Sequence, residues 1–397
     1  MNSESKKLNT CHVITRMIVG GAQENTLLTL RGHLEKGHEA VLVTGPSPGR
    51  EGELLKNVDM PPFEICVFPE LVRELSPWYD LKAFFRLRRF FKERKFDVVH
   101  THSSKAGIIG RLAARSAGIP VVVHTVHGQA FHPREKAWKN RLYIFLERFA
   151  AKYCDRIYAV AQAMIDQCVE AKVAPRDKYQ VVYSGMNTAR FSSCKRSAEL
   201  RKTLGIPENV KVIATVARLF PLKGYEYVIP AALKVLKQYP DTHFLFIGDG
   251  PMYDELHDML EKEHIAGNFH FAGLVAPDAV ADYLAQADLL WHLSLREGLP
   301  RAVVQALAVG IPAIGFALDG TPEVVINGVT GYVTAPEDID DVAEKTMLIL
   351  NDPVSAGRMG ENGRNKVVEQ FDWHRMADVL ETEYLRLAGE KIADWNR

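Results

Sequence analysis

Val212-Ile-Ala-Thr-Val-Ala-Arg-Leu-Phe-Pro-Leu-Lys-Gly224 carries the fold in miniature. Its apolar, β-branched run at 212–216 reads as a strand. The next residues form a loop bearing Arg218 and Lys223, and Gly224 introduces a helical pattern. A strand that feeds a loop and then a helix is the repeating unit of a parallel sheet. Similar short apolar runs follow at 243–247, 269–271, 288–292, 312–316 and 331–333, and precede it at 11–15, 39–44, 96–100, 121–125 and 156–160. Longer amphipathic segments separate them, which predicts parallel sheets covered by helices on both faces. The fold class is therefore α/β, with two Rossmann-like parallel-sheet domains expected to face each other across a cleft. Tyr183-Ser-Gly-Met-Asn187 reads as a turn and 192–201 is polar and charged, so the boundary falls within 184–207. The expected domains are 1–184 and 185–370. A helical segment follows at 371–397, with helical spacing at Trp373, Met376, Leu380 and Tyr384; it either packs as an ordinary terminal helix or returns to the first domain.

The chain has 397 residues, with 49 basic and 49 acidic side chains, and 47% of it is hydrophobic. This length suits two domains with ample cores. Zero net charge argues against a nucleic-acid partner, which a surplus of Lys and Arg would hold. The neutrality conceals an asymmetry: 28 basic and 19 acidic residues lie within the first 180, against 21 and 30 beyond. Five widely spaced cysteines, with no CxxC pair, suggest neither a disulfide framework nor a thiolate zinc site, and fit a reducing compartment. The amino terminus lacks the apolar stretch of a signal peptide, and no uninterrupted apolar run reaches the ~20 residues of a spanning helix. A cytoplasmic protein is expected.

The residues that suggest chemistry handle phosphate. Arg218 offers a fork of donors and Lys223 a mobile ammonium on one loop, and together they can hold a diphosphate. Gly248, in Phe246-Ile-Gly-Asp-Gly-Pro251, forms a turn after another strand, suited either to close approach of a ligand or to tight packing. Gly20 and Gly21 occupy the first turn of the amino-terminal domain, before a helix whose N–H groups can face a phosphate. Neither GxGxxG nor GxxxxGK[ST] is present, which disfavours hydride transfer and P-loop nucleotide hydrolysis.

The strongest local signal is Leu293-Ser-Leu-Arg-Glu-Gly-Leu-Pro-Arg-Ala-Val-Val-Gln-Ala-Leu-Ala-Val-Gly310. Glu297 precedes a Gly-Leu-Pro turn and a helix, so amides can meet phosphate while the carboxylate accepts from sugar hydroxyls. With Arg218, Lys223 and the histidine of Val123-His-Thr-Val-His-Gly128, this set resembles the retaining glycosyltransferases of family 4, which adopt the two-domain GT-B architecture. The resemblance spans nearly the whole chain.

That resemblance implies a donor site built mainly from the carboxyl-terminal domain and an acceptor side built from the amino-terminal one. Gly20-Gly-Ala-Gln23 resembles the family's glycine loop near the donor diphosphate, and His100-Thr-His-Ser-Ser-Lys-Ala-Gly107 its variable acceptor segment. His127 matches the histidine near the transferred sugar, Arg218 and Lys223 the diphosphate ligands, and Glu297 the first acid of the E-x7-E signature. The turn Gly298, Leu299, Pro300 and Arg301 would position sugar and phosphate, its N–H donors coming from the residues other than Pro300. Gln305 stands where the second acid contacts the ribose; it can still bond hydroxyls, without the charge. No cofactor is implied beyond a UDP- or GDP-sugar donor, and no DxD-type metal, because basic groups and helix termini can neutralise the leaving diphosphate. His100, His102, His124 and His127 lie close in sequence, but no ligand motif accompanies them, and His127 reads as sugar-binding. The implied activity is retaining transfer of a hexosyl or N-acetylhexosaminyl group to a glycan or lipid-linked acceptor in cell-surface polysaccharide synthesis. Another nucleotide-sugar reaction on the same fold, hydrolysis or epimerisation, is the alternative, as is a donor-binding protein without turnover.

Residues 81–96 hold seven basic residues, one acidic residue and five phenylalanines, preceded by Pro77, Trp78 and Tyr79. That composition suits a helix drawn to an anionic membrane, and equally one whose apolar face covers the sheet.

Overall fold

Strand-forming runs in this chain are short, apolar and buried on both sides, the pattern that parallel sheets require. The computed structural model describes residues 6–47, 54–55, 62–74 and 76–392, so the first five residues of the amino-terminal reading lie outside it. The chain divides into two units, Met1–Met186 with Trp373–Arg397, and Asn187–Asp372.

The first unit contains β1 (Asn9–Ile14), β2 (Glu39–Thr44), β3 (Glu64–Val67), β4 (Val98–His102), β5 (Val121–Val126), β6 (Arg156–Ala159) and β7 (Tyr179–Val181). They form one sheet, ordered β3-β2-β1-β4-β5-β6-β7, and every pairing is parallel. The second unit contains β8 (Lys211–Val216), β9 (Thr242–Ile247), β10 (Phe269–Gly273), β11 (Leu289–His292), β12 (Ala313–Phe316) and β13 (Gly331–Thr334). Its sheet is also parallel, ordered β10-β9-β8-β11-β12-β13. This is the pair of α/β domains of GT-B architecture.

Two edge strands, β3 and β7, escape the sequence reading. Glu64, Ile65 and Val67 are exposed, and β7 has only three residues, so neither shows a buried apolar run. The strand expected at 96–100 begins two residues later. Asp97 is used differently: its carboxylate accepts from the Asn9 N–H at 2.8 Å, capping the start of β1 just ahead of β4. Asp155 and Asp288 do the same for Val122 and Val212, each just before a strand.

The helix Trp373–Lys391 is built into the first unit. Met376, Leu380, Tyr384, Leu387 and Ala388 join Val98, Val121, Val123 and Tyr158 in one buried cluster. In the second unit the core gathers around Trp291, whose indole N–H donates to Thr346 Oγ1 at 2.9 Å.

Strand order locates the sites. In each sheet the order reverses once, between β1 and β4 in the first and between β8 and β11 in the second. A crevice opens beyond the carboxyl ends of strands at such a switch point, and ligands bind there. The loops concerned carry Gly20 and Gly21 after β1, Ser103 after β4, Arg218 and Lys223 after β8, and Glu297 after β11.

Candidate functional site

The second-unit switch point brings together two loops from distant parts of the chain. Beyond β8 the backbone turns through Leu222, at φ 68°, and Gly224, at φ 86°. Leu295 N–H donates to the Leu222 carbonyl at 3.0 Å, and Ser294 Oγ donates to the same oxygen at 3.2 Å. This clamp holds Lys223 against Glu297, with Nζ 2.6 Å from Oε1. Both side chains are about three-quarters buried, at 24% and 22% exposure. Asp319 fixes the other side of the loop by accepting the Glu297 N–H at 2.7 Å, and Gly320 N–H donates to the Gly298 carbonyl at 3.1 Å.

Burial pushes the Glu297 carboxyl upward, but the positive charge of Lys223, the neighbouring His292 and the hydrogen bond from Lys223 outweigh it. The net result lies below the ordinary carboxylate value, so Glu297 is ionised at neutral pH. His292, at the end of β11, is driven the other way. Burial lowers it to about 4, so it is neutral at pH 7, and its Nε2 stands 3.8 Å from Glu297 Oε1, beyond hydrogen-bond reach.

Gly298, Leu299 and Pro300 lead directly into the helix Arg301–Val309, which has Pro300 at its N-cap and no side-chain cap. Gln305 lies on this helix and is buried. Arg218 stands with its guanidinium carbon 4.9 Å from the Phe220 ring, stacked on the loop it shares with Lys223. The close approach that Gly248 permits is to protein: a Cβ there would lie 2.0 Å from the Ala217 carbonyl oxygen, so this glycine seats the β9 turn on the β8 loop.

Gly224 has a comparable role with a larger consequence. A Cβ would fall 2.0 Å from the Leu293 carbonyl oxygen, at a positive φ that only glycine adopts without strain. Gly224→Ala should therefore destabilise the second unit by about 2–3 kcal/mol, lowering its melting temperature by roughly 5–10 °C. Differential scanning calorimetry checks this, and an unchanged transition would show that the loop relaxes without cost.

In the first unit, Gly20 is the N-cap of the helix Gly21–Glu35, its carbonyl accepting from the Glu24 N–H at 3.0 Å. His127 lies just past β5 and shares a 3.0 Å hydrogen bond with His102, through Nε2 and Nδ1 respectively. The sequence reading did not foresee this link, nor that His12 joins it. Among the described residues, His12, His100 and His102 form the one group of three ligand-type side chains with nitrogens within 4.8 Å of one another. All of their ring nitrogens except His12 Nε2 already have partners in the fold. Both His100 nitrogens are engaged, by Tyr384 OH and by Thr125 Oγ1, and no carboxylate belongs to the set. His124, which the sequence places nearby, turns instead to Thr101.

The comparisons with known proteins agree with this architecture. Residues 20–185 match the model of a glycosyl transferase 4-like domain, and residues 196–366 match glycosyl transferases group 1. UDP-Gal:alpha-D-GlcNAc-diphosphoundecaprenol alpha-1,3-galactosyltransferase from Escherichia coli is 32% identical over 81% of this chain and 84% of its own. N-acetyl-alpha-D-glucosaminyl L-malate synthase from Bacillus anthracis is 28% identical over 88% and 90%. Among solved structures, Anabaena HepE in complex with UDP and glucose superposes with a TM-score of 0.80 at 21% identity, covering 95% of this chain and 99% of that one. The chain belongs to the glycosyltransferases and has the GT-B fold.

Proposed function

We propose that this protein is a retaining glycosyltransferase of family 4 that moves a hexosyl or N-acetylhexosaminyl group from a nucleotide sugar, UDP-linked in preference to GDP-linked, to a polyprenyl-diphosphate-linked sugar. The observation that carries the reading is the buried Lys223–Glu297 pair at the second switch point, directly before the uncapped helix Arg301–Val309. The galactosyltransferase at 32% identity supports the donor and acceptor classes, since its name specifies both.

In this reading residues 185–370 form the donor-binding domain, residues 1–184 the acceptor side, and 371–397 a helical return. The bond from the anomeric carbon to the diphosphate oxygen breaks, with its electron pair leaving on the nucleoside diphosphate. Arg218 and Lys223 stabilise that charge, which takes the place of a metal ion. The acceptor hydroxyl forms the new bond on the same face, and its proton passes to the leaving phosphate. Glu297 and the amides of Gly298, Leu299 and Arg301 orient sugar and phosphate. Gln305 bonds the ribose, Gly20 and Gly21 let backbone approach ligand, Gly248 seats the β9 turn against the loop that carries Arg218, and His127 contacts the sugar.

The test is product analysis with purified protein, UDP- and GDP-sugars and a polyprenyl-diphosphate-GlcNAc acceptor. We expect nucleotide release dependent on acceptor, an α-linked product from an α-linked donor, and thermal stabilisation by UDP exceeding that by GDP. Release of free sugar without an adduct would instead favour hydrolysis.

A lipid-linked acceptor requires access to a membrane surface, and the described residues contain no helix long and apolar enough to cross one. The protein would then work from the cytoplasmic side as a peripheral enzyme. The helix Pro77–Arg94 packs Ala83, Leu87 and Phe91 inward, so much of its apolar content covers the core. Arg86, Arg89 and Arg94 are paired with Glu70, Glu93 and Glu64. Trp78, Tyr79, Leu81 and Phe85 remain exposed. A second helix, Ala137–Ala151, buries only its last two residues and exposes Trp138, Leu142, Phe145 and Phe149 at helical spacing, beside Lys139, Arg141 and Arg148. Both helices flank the helix Ser104–Ala117. This surface fits anionic lipid. Sedimentation with anionic liposomes should pull down the protein at low salt, and Trp138→Ser with Phe145→Ser should abolish it; absence of binding at low salt would defeat the membrane reading.

A further inference from the structure

The first sheet places four buried histidines, joined by a fifth from a helix, beside the loop that carries His127. His12 lies on β1, His100 and His102 on β4, and His124 on β5; His33 packs against His12 from the helix Gly21–Glu35. Burial drives His12 down to about 3 and His102 well below its ordinary value, so each ring is neutral and carries one N–H.

Three rings form a continuous chain. His12 Nδ1 lies 3.0 Å from His102 Nε2, and His102 Nδ1 lies 3.0 Å from His127 Nε2. Both ring pairs have centroids 5.3 Å apart, with planes inclined by 14° and 26°. That is the separation of imidazoles joined edge to edge through nitrogen. A neutral His102 bonded at both nitrogens must donate through one and accept through the other, so the direction of the inner bond sets that of the outer bond.

The inner end decides the direction. His12 Nε2 is fully buried and has no hydrogen-bond partner. A proton there would leave a donor buried and unpaired, whereas a proton on Nδ1 leaves only a lone pair. Orphaned buried N–H groups are rarer than under-satisfied acceptors. His12 therefore donates from Nδ1 to His102 Nε2, and His102 donates from Nδ1 to His127 Nε2.

We propose that His102, closed off at its inner end by His12, is a positioning residue that fixes His127 with its proton on Nδ1, so that His127 meets a ligand oxygen as a hydrogen-bond donor. The tautomer stands on the geometry of the ligand-free protein. Its use on a sugar hydroxyl rests on the reading of His127 given above.

Histidine-selective ¹⁵N NMR of the whole protein at neutral pH tests this, with the His127 signals assigned by their loss in His127→Asn. We expect a pyrrole-type Nδ1 and a pyridine-type Nε2 for His127 in the wild type. His102→Leu should release this preference, giving a mixture of tautomers or Nε2–H. In His12→Phe the lone pair of His102 becomes the buried end, and His127 should keep Nδ1–H. Nε2–H in the wild type or in His12→Phe, or an unchanged tautomer in His102→Leu, would overturn the proposal; the wild-type and His12→Phe spectra decide it even where His102→Leu does not fold. Because no donor is present, these outcomes are independent of catalysis. A normal rate of transfer in His127→Asn would instead sink the sugar-contact reading and leave the tautomer standing.

Discussion

Lowering the pH from 6 to 5 should unfold the first unit well before the second. His12, His33, His100, His102 and His124 are all at most 2% exposed, and burial is the leading cause holding each below its ordinary value of 6.5. A histidine whose folded pKa is depressed is neutral in the native state but protonated in the unfolded chain once the pH drops below 6.5. The unfolded state then binds more protons, so stability is present above 6.5 and is lost as the pH falls. Each such group costs about 1.4 kcal/mol per pH unit, and five together cost on the order of 6 kcal/mol, comparable with the whole stability of a domain. The second unit holds one fully buried counterpart, His292, and the half-buried His243–His270 pair, which burial lowers less completely. Hydrogen exchange read by mass spectrometry should show peptides from β1, β4 and β5 losing protection between pH 6 and 5 while those from β8, β11 and β12 retain it. Equal protection in both units at pH 5 would show that the histidines acquire protons without unfolding.

Lys223→Ala should lower kcat/KM for sugar transfer by about 10²–10³, the range found when a group facing developing transition-state charge is removed. The same change exposes the second role of this lysine. Its charge and hydrogen bond are what hold the Glu297 carboxyl below its ordinary value against burial. In the wild type that depressed value adds stability that is present above the unfolded carboxylate pKa and lost as the pH falls through the folded one. Without Lys223, burial acts with less opposition, the Glu297 pKa rises, and part of that stability disappears near neutral pH. Lys223→Arg should restore charge and fold but not full rate, because a planar fork does not replace a compact ammonium at this spacing. Steady-state kinetics with a pH-stability profile separate the two roles. Unchanged kcat/KM in a folded Lys223→Ala protein would remove this residue from the chemistry.

Local chemistry made much of the fold legible. Strands β2, β8 and β9 stand in the sequence as apolar, β-branched runs of residues buried on both faces, and Gly224 and Gly310 mark where the chain must turn with positive φ. The same local chemistry singles out Arg218, Lys223 and Glu297, whose types and loop positions suit a diphosphate and a sugar.

Pairings between distant segments could not be read that way. Lys223 and Glu297 are 74 positions apart, and only the strand order β8-β11 and the Leu222–Leu295 hydrogen bond bring them to 2.6 Å. His12 and His102 are 90 apart and meet because β1 and β4 are neighbours across a reversal in strand order. Apart from the edge strands β3 and β7, the sequence alone determined the succession of strands, loops and helices, because each is encoded by the periodicity and turn chemistry of adjacent residues. The tertiary structure decided which loops share a crevice, that the last helix completes the first core, and that five histidines converge, because these follow from strand order and burial among segments far apart in the chain.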